Sequence, residues 1–192
     1  MIKDETFWKN RKDCAENMWN PNHPHRQLIL DELKKIKFDS LLEIGCGCGP
    51  NLYRIQKEFP DVVLAGIDIN EENIVFGKKT LLNVILNPTD AIKLPFGDKF
   101  YDVVLSDAVL IYANPERAEL MIDEMKRVAK KAIVLCEWHD DAINKFGTIM
   151  AGHWVRNYIK LLGGGKAIKI TNWPGGEEDW NKMGYIITYE KL

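Results

Sequence analysis

The sequence predicts an α/β fold, a mostly parallel sheet with helices on both faces, and three observations lead there. From residue 28 onward, segments of helical periodicity alternate with short apolar runs, the pattern of strands joined by crossover helices. One run, Leu41 to Ile44, feeds into Gly45, Gly47 and Gly49 and then into a helix opened by Pro50. Two later runs each deliver an acid near their C-terminal end, Asp68 and Asp90. In an open α/β sheet those ends face a common crevice.

The elements follow in order. Residues 1–27 carry Phe7, Trp8, Met18 and Trp19 among charged and amide side chains, an apolar set that must bury itself against something. The spacing of Leu28, Leu30, Leu33 and Ile36 predicts a first helix, and Ser40 to Ile44 a buried strand. Pro50 suits a helix's first turn; Leu52, Ile55 and Phe59 line one face, and Pro60 stops it. Val62 to Ile67 is a second strand. Asn70 is then an N-cap, with Glu71 and Glu72 in the first turn and Lys78 and Lys79 in the last, matching the helix dipole. Val84 to Leu86 forms a short third strand, and Pro88 sits between it and Asp90.

Tyr101 to Ser106 is the fourth strand; Leu120, Glu124 and Val128, with Met121 and Met125 beside them, define the core face of the next helix. Lys126, Arg127, Lys130 and Lys131 at its end read as a solvated basic face. Ala132 to Cys136 is the fifth strand. A helix is expected from about Lys145 to Leu162, with His153 inside it, then strands near Ala167 to Thr171 and Tyr185 to Glu190, separated by a turn at Pro174 to Gly176.

With 192 residues, 46% hydrophobic and 28% charged, the chain is one ordinary globular domain. A formal charge of −2 supplies no global field toward nucleic acid or an anionic membrane, so neither partner is expected. No apolar run reaches the roughly 20 residues needed to cross a bilayer, and the charged start from Met1 to Glu5 lacks a signal core, so a cytoplasmic location is expected. Cys14, Cys46, Cys48 and Cys136 are too few for a disulfide scaffold, and the Cys46–Cys48 pair offers only two of the four ligands of a tetrahedral site; reduced thiols and no metal follow.

Chemistry concentrates around the glycine loop. Glu43 precedes Gly45 by two residues and suits a ligand bearing an amino group. Dinucleotide binding needs glycine where Pro50 stands, and Pro50 also removes an N–H that a pyrophosphate would use. Ser106 and Asp107, at the end of the fourth strand, are expected to line the crevice. His23 and His25 fall in a turn and read as structural; only His139 follows a strand whose end must face the crevice. Of the six tryptophans, five lie outside residues 28–137, with Trp138 at the margin.

These residues resemble class I S-adenosylmethionine-dependent methyltransferases, in particular the small-molecule methyltransferase type 11 group, over about Leu28 to Glu137. The resemblance rests on Leu41 to Gly49, on Gly66, Ile67 and Asp68, on Thr89, Asp90 and Ala91 followed by Leu94, Pro95 and Phe96, and on Phe100 to Val104 leading to Ser106 through Leu110. It implies a Rossmann-like seven-stranded sheet ending in an antiparallel hairpin, and S-adenosylmethionine as methyl donor with S-adenosylhomocysteine as product. It further implies that Gly45 to Gly49 cradle the methionine part of the cofactor, Asp68 accepts from both ribose hydroxyls and Asp90 from the adenine amine. Glu43, Cys46, Ile69, Ala91, Ser106 and Asp107 complete the expected cofactor site, although Cys46 and Cys48 occupy loop positions that vary freely in the group.

Residues 28–137 then form the cofactor-binding core and 138–192 the acceptor-side helix and terminal strands. Residues 1–27 form a lid in which Trp8 and Trp19 are the contact candidates, Trp19 the nearer because the turn Asn20 to Asn22 follows it. Tyr112, where the group commonly carries histidine, and His139 are the catalytic candidates. The predicted activity is methyl transfer to a small molecule. A non-catalytic S-adenosylmethionine-binding sensor or scaffold, and a protein methyltransferase, remain open beside it.

Overall fold

The computed structural model describes residues 3–12 and 17–191; Cys14 lies outside them. The helices are α1 (Glu5–Asn10), α2 (His25–Leu33), α3 (Pro50–Glu58), α4 (Glu71–Thr80), α5 (Pro115–Val128), α6 (Tyr158–Leu162) and α7 (Glu178–Met183). The strands are β1 (Ser40–Ile44), β2 (Val63–Asp68), β3 (Val84–Pro88), β4 (Tyr101–Asp107), β5 (Ala129–Trp138), β6 (Thr148–Met150), β7 (His153–Val155), β8 (Lys166–Lys169) and β9 (Gly184–Glu190). Seven strands form one sheet in the order β3-β2-β1-β4-β5-β9-β8. β1 to β5 run parallel, while β9 is antiparallel to both β5 and β8. The predicted Rossmann-like architecture and its terminal hairpin are therefore present.

Alternation along the strands builds two cores. Leu41, Leu64, Val103 and Leu105 pack under Ile29, Leu30 and Leu33 of α2 with Leu52 and Ile55 of α3. Their neighbours Leu42, Ile44, Ile67 and Val104 pack on the opposite face against α5 and α6. The α5 face is Ala118, Met121, Ile122, Met125 and Val128; Leu120 points outward and is 45% exposed, which corrects the predicted stripe. The α2 helix also begins earlier than its apolar spacing suggested, at His25, and ends at Leu33.

The expected helix from Lys145 to Leu162 is instead a two-stranded ribbon, β6 with β7, followed by short α6. Gly147 at φ +90° sits where a Cβ would meet the Val155 carbonyl at 2.7 Å, and Asn144 Oδ1 accepts the Phe146 and Gly147 N–H groups, turning the chain. His153 consequently lies on β7. The basic residues at the end of α5 do more than meet solvent: Arg127 binds Glu124 and the carbonyls of Leu94 and Phe96, and Lys131 reaches Asp102 at 2.8 Å. Cys46, Cys48 and Cys136 are buried. Among the described residues no helix is long and apolar enough to cross a membrane.

Candidate active site

The sheet order reverses between β1 and β4, and the crevice opens at that switch point. Register fixes its floor: Ile44 pairs with Ile67 on one side and Ser106 on the other, so Asp68 and Asp107 flank Gly45. A cavity of about 360 Å³ stands above, lined by Glu43, Gly45, Cys46, Asp68, Ile69, Asp90, Ala91 and Asp107 from the predicted set. Gly45 takes φ +65°, and a Cβ there would strike Val109 at 2.3 Å. Gly47 and Gly49, also at positive φ, are buried and do not line the cavity; Gly47 instead donates its N–H to Asp68 Oδ2 at 2.8 Å.

Each of the acids Asp68, Asp90 and Glu43 is differently engaged. Asp68 holds the N–H of Gly47 on one oxygen and that of Asn70 on the other, and burial moves its pKa upward. Asp90 accepts from Arg117 Nη2 at 2.7 Å. Glu43 is buried, with Oε1 accepting from Asn51 Nδ2 at 2.7 Å and Oε2 lacking any hydrogen-bond partner among the described residues. Burial, with the charge of Asp107 adding to it against Asn51's hydrogen bond, pushes the Glu43 carboxyl up to about 8.

Asp107 anchors a second cluster that sequence reasoning missed. Its Oδ2 contacts His25 Nε2 at 2.9 Å and accepts from Asn51 Nδ2 at 2.9 Å, with Arg26 Nη1 3.6 Å away. Burial alone would raise its pKa, but His25, Arg26 and Asn51 outweigh it and hold Asp107 at about 2. His25 Nδ1 in turn lies 2.6 Å from His23 Nδ1. Both histidines, Glu177, Trp173 and Trp180 line the cavity. A turn-borne His-x-His in sequence carries no sign of the aspartate 82 residues away that His25 meets.

Besides Gly47 and Gly49, three further predicted residues fall outside the crevice. Ser106 is fully buried with Oγ donating to Glu137 Oε1, so it does not line the cavity. Glu137 also accepts the N–H groups of Val109, Leu110 and Ile111, and thereby sets the 3-10 turn that presents Tyr112 to the cavity. His139 is 1% exposed and faces away, its Nδ1 accepting the Tyr158 N–H and its Nε2 paired with Asp141, because the chain after β5 turns back toward α6. Trp19 stacks edge-on to Tyr53 and packs near Phe76, outside the crevice.

Trp8 is the aromatic of the N-terminal segment that reaches the site. It packs against Tyr112 with ring centroids 4.8 Å apart and lines the cavity. α1 buries none of its own residues, so contacts hold it: Glu5 with Arg117, Lys12 with Glu72, and Asn70 Nδ2 with the Trp8 and Arg11 carbonyls.

Comparison with known proteins agrees with this geometry. The family described as "Methyltransferase domain" matches residues 41–132. An uncharacterized methyltransferase of Schizosaccharomyces pombe is 24% identical over 147 residues, covering 69% of this chain and 51% of the relative. The malonyl-[acyl-carrier protein] O-methyltransferase of Herminiimonas arsenicoxydans is 30% identical over 98 residues, 51% of this chain and 36% of the relative. The chain thus spans about half of one curated relative's length and about a third of the other's. In three dimensions it resembles the geranyl diphosphate C-methyltransferase of Streptomyces coelicolor A3(2), solved with Mg2+, geranyl diphosphate and S-adenosyl-L-homocysteine: TM-score 0.70, 11% identity, 98% of this chain and 96% of that one. Glycine-loop sequence, strand order and relatives agree: residues 41–132 match the methyltransferase-domain family, and the chain shares its fold with solved methyltransferases.

Proposed function

We propose that the chain binds S-adenosylmethionine across Gly45 and Asp68 and transfers its methyl group to a small molecule held beneath α1. The observation that carries this reading is Glu43 Oε2, a buried acceptor without a partner among the described residues, which an amino-acid ammonium group would satisfy. Asp68 supports it too: the Gly47 and Asn70 N–H groups and the Asn73 side chain fix its carboxylate at the cavity wall, where it can accept from the ribose hydroxyls. Asp90, already paired with Arg117, is oriented by that guanidinium as the acceptor for the adenine amine.

When bound, the sulfonium supplies a methyl carbon already activated for attack. The protein's share is then alignment and exclusion of water. Trp8 against Tyr112 closes the outer side of the crevice and supports the lid role of the N-terminal segment. A cavity of about 360 Å³ suits small ligands, and a small-molecule acceptor is in keeping with the geranyl diphosphate held by the structural neighbour.

Calorimetry with S-adenosylhomocysteine tests the reading. Asp68→Ala removes two charge-assisted hydrogen bonds and weakens binding by about 30- to 1000-fold. Unchanged affinity in a folded variant, or tight binding of NADH by the wild type, would overturn it.

A further inference from the structure

The cofactor reading gives no role to the wall of the cavity formed by residues 173–180, where a carboxylate, Glu177, accompanies two stacked indoles. We infer, resting on the methyl-transfer reading, that the acceptor is a small molecule bearing a cationic amine, and that Glu177 with Trp173 and Trp180 forms the subsite that recognises that group.

Charge pairing around the cavity singles out Glu177. Asp90 and Glu5 each face Arg117, at 2.7 and 3.6 Å. Asp107 is held by His25, Asn51 and Arg26, Asp68 by backbone N–H groups, and Glu43 falls to the amino-acid end of the cofactor. Glu177 is 53% exposed, and its ion-pair neighbour among the described residues is His23, whose Nε2 lies 3.9 Å from Oε1. Burial first, and then His25, hold the His23 imidazole below its ordinary value, so it brings no positive charge to Glu177 at neutral pH. Arg26, the cavity's other guanidinium, is turned to the Asn20 carbonyl and Asn51 Oδ1, at 2.8 and 2.6 Å. Glu177 therefore offers uncompensated negative charge to an entering ligand.

The chain holds this carboxylate in place. The Gly176 N–H closes a turn on the Trp173 carbonyl at 3.0 Å, and Asn181 Oδ1 accepts the Trp173 N–H, tying that turn to α7. A Cβ at Gly175 would strike Glu177, His23 and Trp173 together, so glycine there lets the three side chains converge. Glu177 precedes α7, yet its side chain makes no capping bond to that helix.

The rings supply the second half of the subsite. Trp173 and Trp180 stack at 4.4 Å with an interplanar angle of 20°, Trp173 continues onto His25 at 5.1 Å, and Trp180 packs edge-on to Trp138 at 5.9 Å. Indole attracts a cation more strongly than the other aromatic side chains do. An alkylammonium group carries N–H donors for the carboxylate and an apolar stem for the rings. An anionic acceptor would be repelled by Glu177, and a wholly apolar one would strip water from it with no hydrogen bond in return.

Phenethylamine, 2-phenylethanol and 3-phenylpropionate test the inference, since they share one ring and differ in the charge of the tail. Titrated into the full 15N-labelled chain loaded with S-adenosylhomocysteine, phenethylamine should bind about fivefold more tightly than the alcohol, with the carboxylate weakest, and should shift the indole N–H signals of Trp173 and Trp180. Glu177→Gln, a change at a half-exposed side chain, should bring the amine to the affinity of the alcohol and leave the alcohol unchanged. Equal affinity for amine and alcohol in the wild type, tighter binding of the carboxylate, or an amine preference that survives in Glu177→Gln overturns the inference. So does a wild type that binds none of the three, or one in which neither indole signal moves. Absence of S-adenosylhomocysteine binding would instead remove the cofactor reading, and the same titrations of the ligand-free chain would still decide the subsite.

Discussion

The amide of Asn70 donates to the backbone carbonyl of Trp8 at 2.8 Å, fastening α1 above the crevice to the N-terminus of α4. The same side chain caps α4 through Oδ1 and the Asn73 N–H, and it is 2% exposed. Aspartate caps as well as asparagine but cannot donate. Asn70→Asp should therefore keep α4 while setting a carboxylate against the Trp8 and Arg11 carbonyls. We expect faster hydrogen exchange across residues 5–12, a loss of stability of about 2–4 kcal/mol from the buried carboxylate facing two carbonyls, and S-adenosylhomocysteine affinity about tenfold lower. Unaltered exchange in α1 would show that its other contacts suffice.

Cofactor binding should release a proton. The Glu43 carboxyl, at about 8 without ligand, is largely protonated at pH 7, and an ammonium group at Oε2 favours the ionised form. Affinity should rise with pH up to about 8, and calorimetry in buffers of different ionisation heat should count the proton; in Glu43→Gln the count falls to zero. Stability carries the same sign: a raised folded pKa means that Glu43's contribution is present below its ordinary 4.5 and is lost as pH rises through about 8. Denaturant titrations should show Glu43→Gln gaining on the wild type across that window.

Glu137→Gln should be more damaging than a single isosteric change suggests. The carboxylate accepts three backbone N–H groups and the Ser106 hydroxyl in a fully buried setting, and an amide replaces one acceptor oxygen with a donor. With Ile111 N–H facing that nitrogen, or the other donors if the amide flips, the loss is about 2–4 kcal/mol. Chemical denaturation measures it. Tyr112 fluorescence or ring shifts should move as well, because the turn that presents it loses its anchor.

What was legible in the sequence was local. The Asn70 cap, the Pro50 start and the glycine loop announce themselves within a few residues, since caps and turns act over one helical turn. β1 and β4 were legible because a strand buried on both faces is a continuous apolar run. The His25–Asp107 pair was not, because nothing near either residue encodes the other. Residues 145–162 misled for a different reason: Val155, Tyr158 and Leu162 are buried at helix-like spacing, while β6 is exposed throughout and shows no alternation.

Gly147→Ala separates ribbon from helix by sign. In a helix the change would stabilise by about 1 kcal/mol. At φ +90°, with the Val155 carbonyl 2.7 Å from the new Cβ, it should destabilise by about 1–2 kcal/mol. A thermal melt of the purified variant decides between them.

The placement of β9 between β5 and β8 sets the order of assembly during synthesis. The parallel strands β1 to β5 can pair as they leave the ribosome, but the outer edge of β5, a nearly continuous buried row from Ala132 to Trp138, has no neighbour until Gly184–Glu190 arrives. For that interval the nascent chain presents an open, apolar, hydrogen-bonding edge of the kind that recruits other strands. Pausing, premature termination or proteolytic loss near the C-terminal hairpin therefore threatens aggregation through β5 before it threatens the crevice, although the glycine loop, Asp68 and Asp107 would all already have been made.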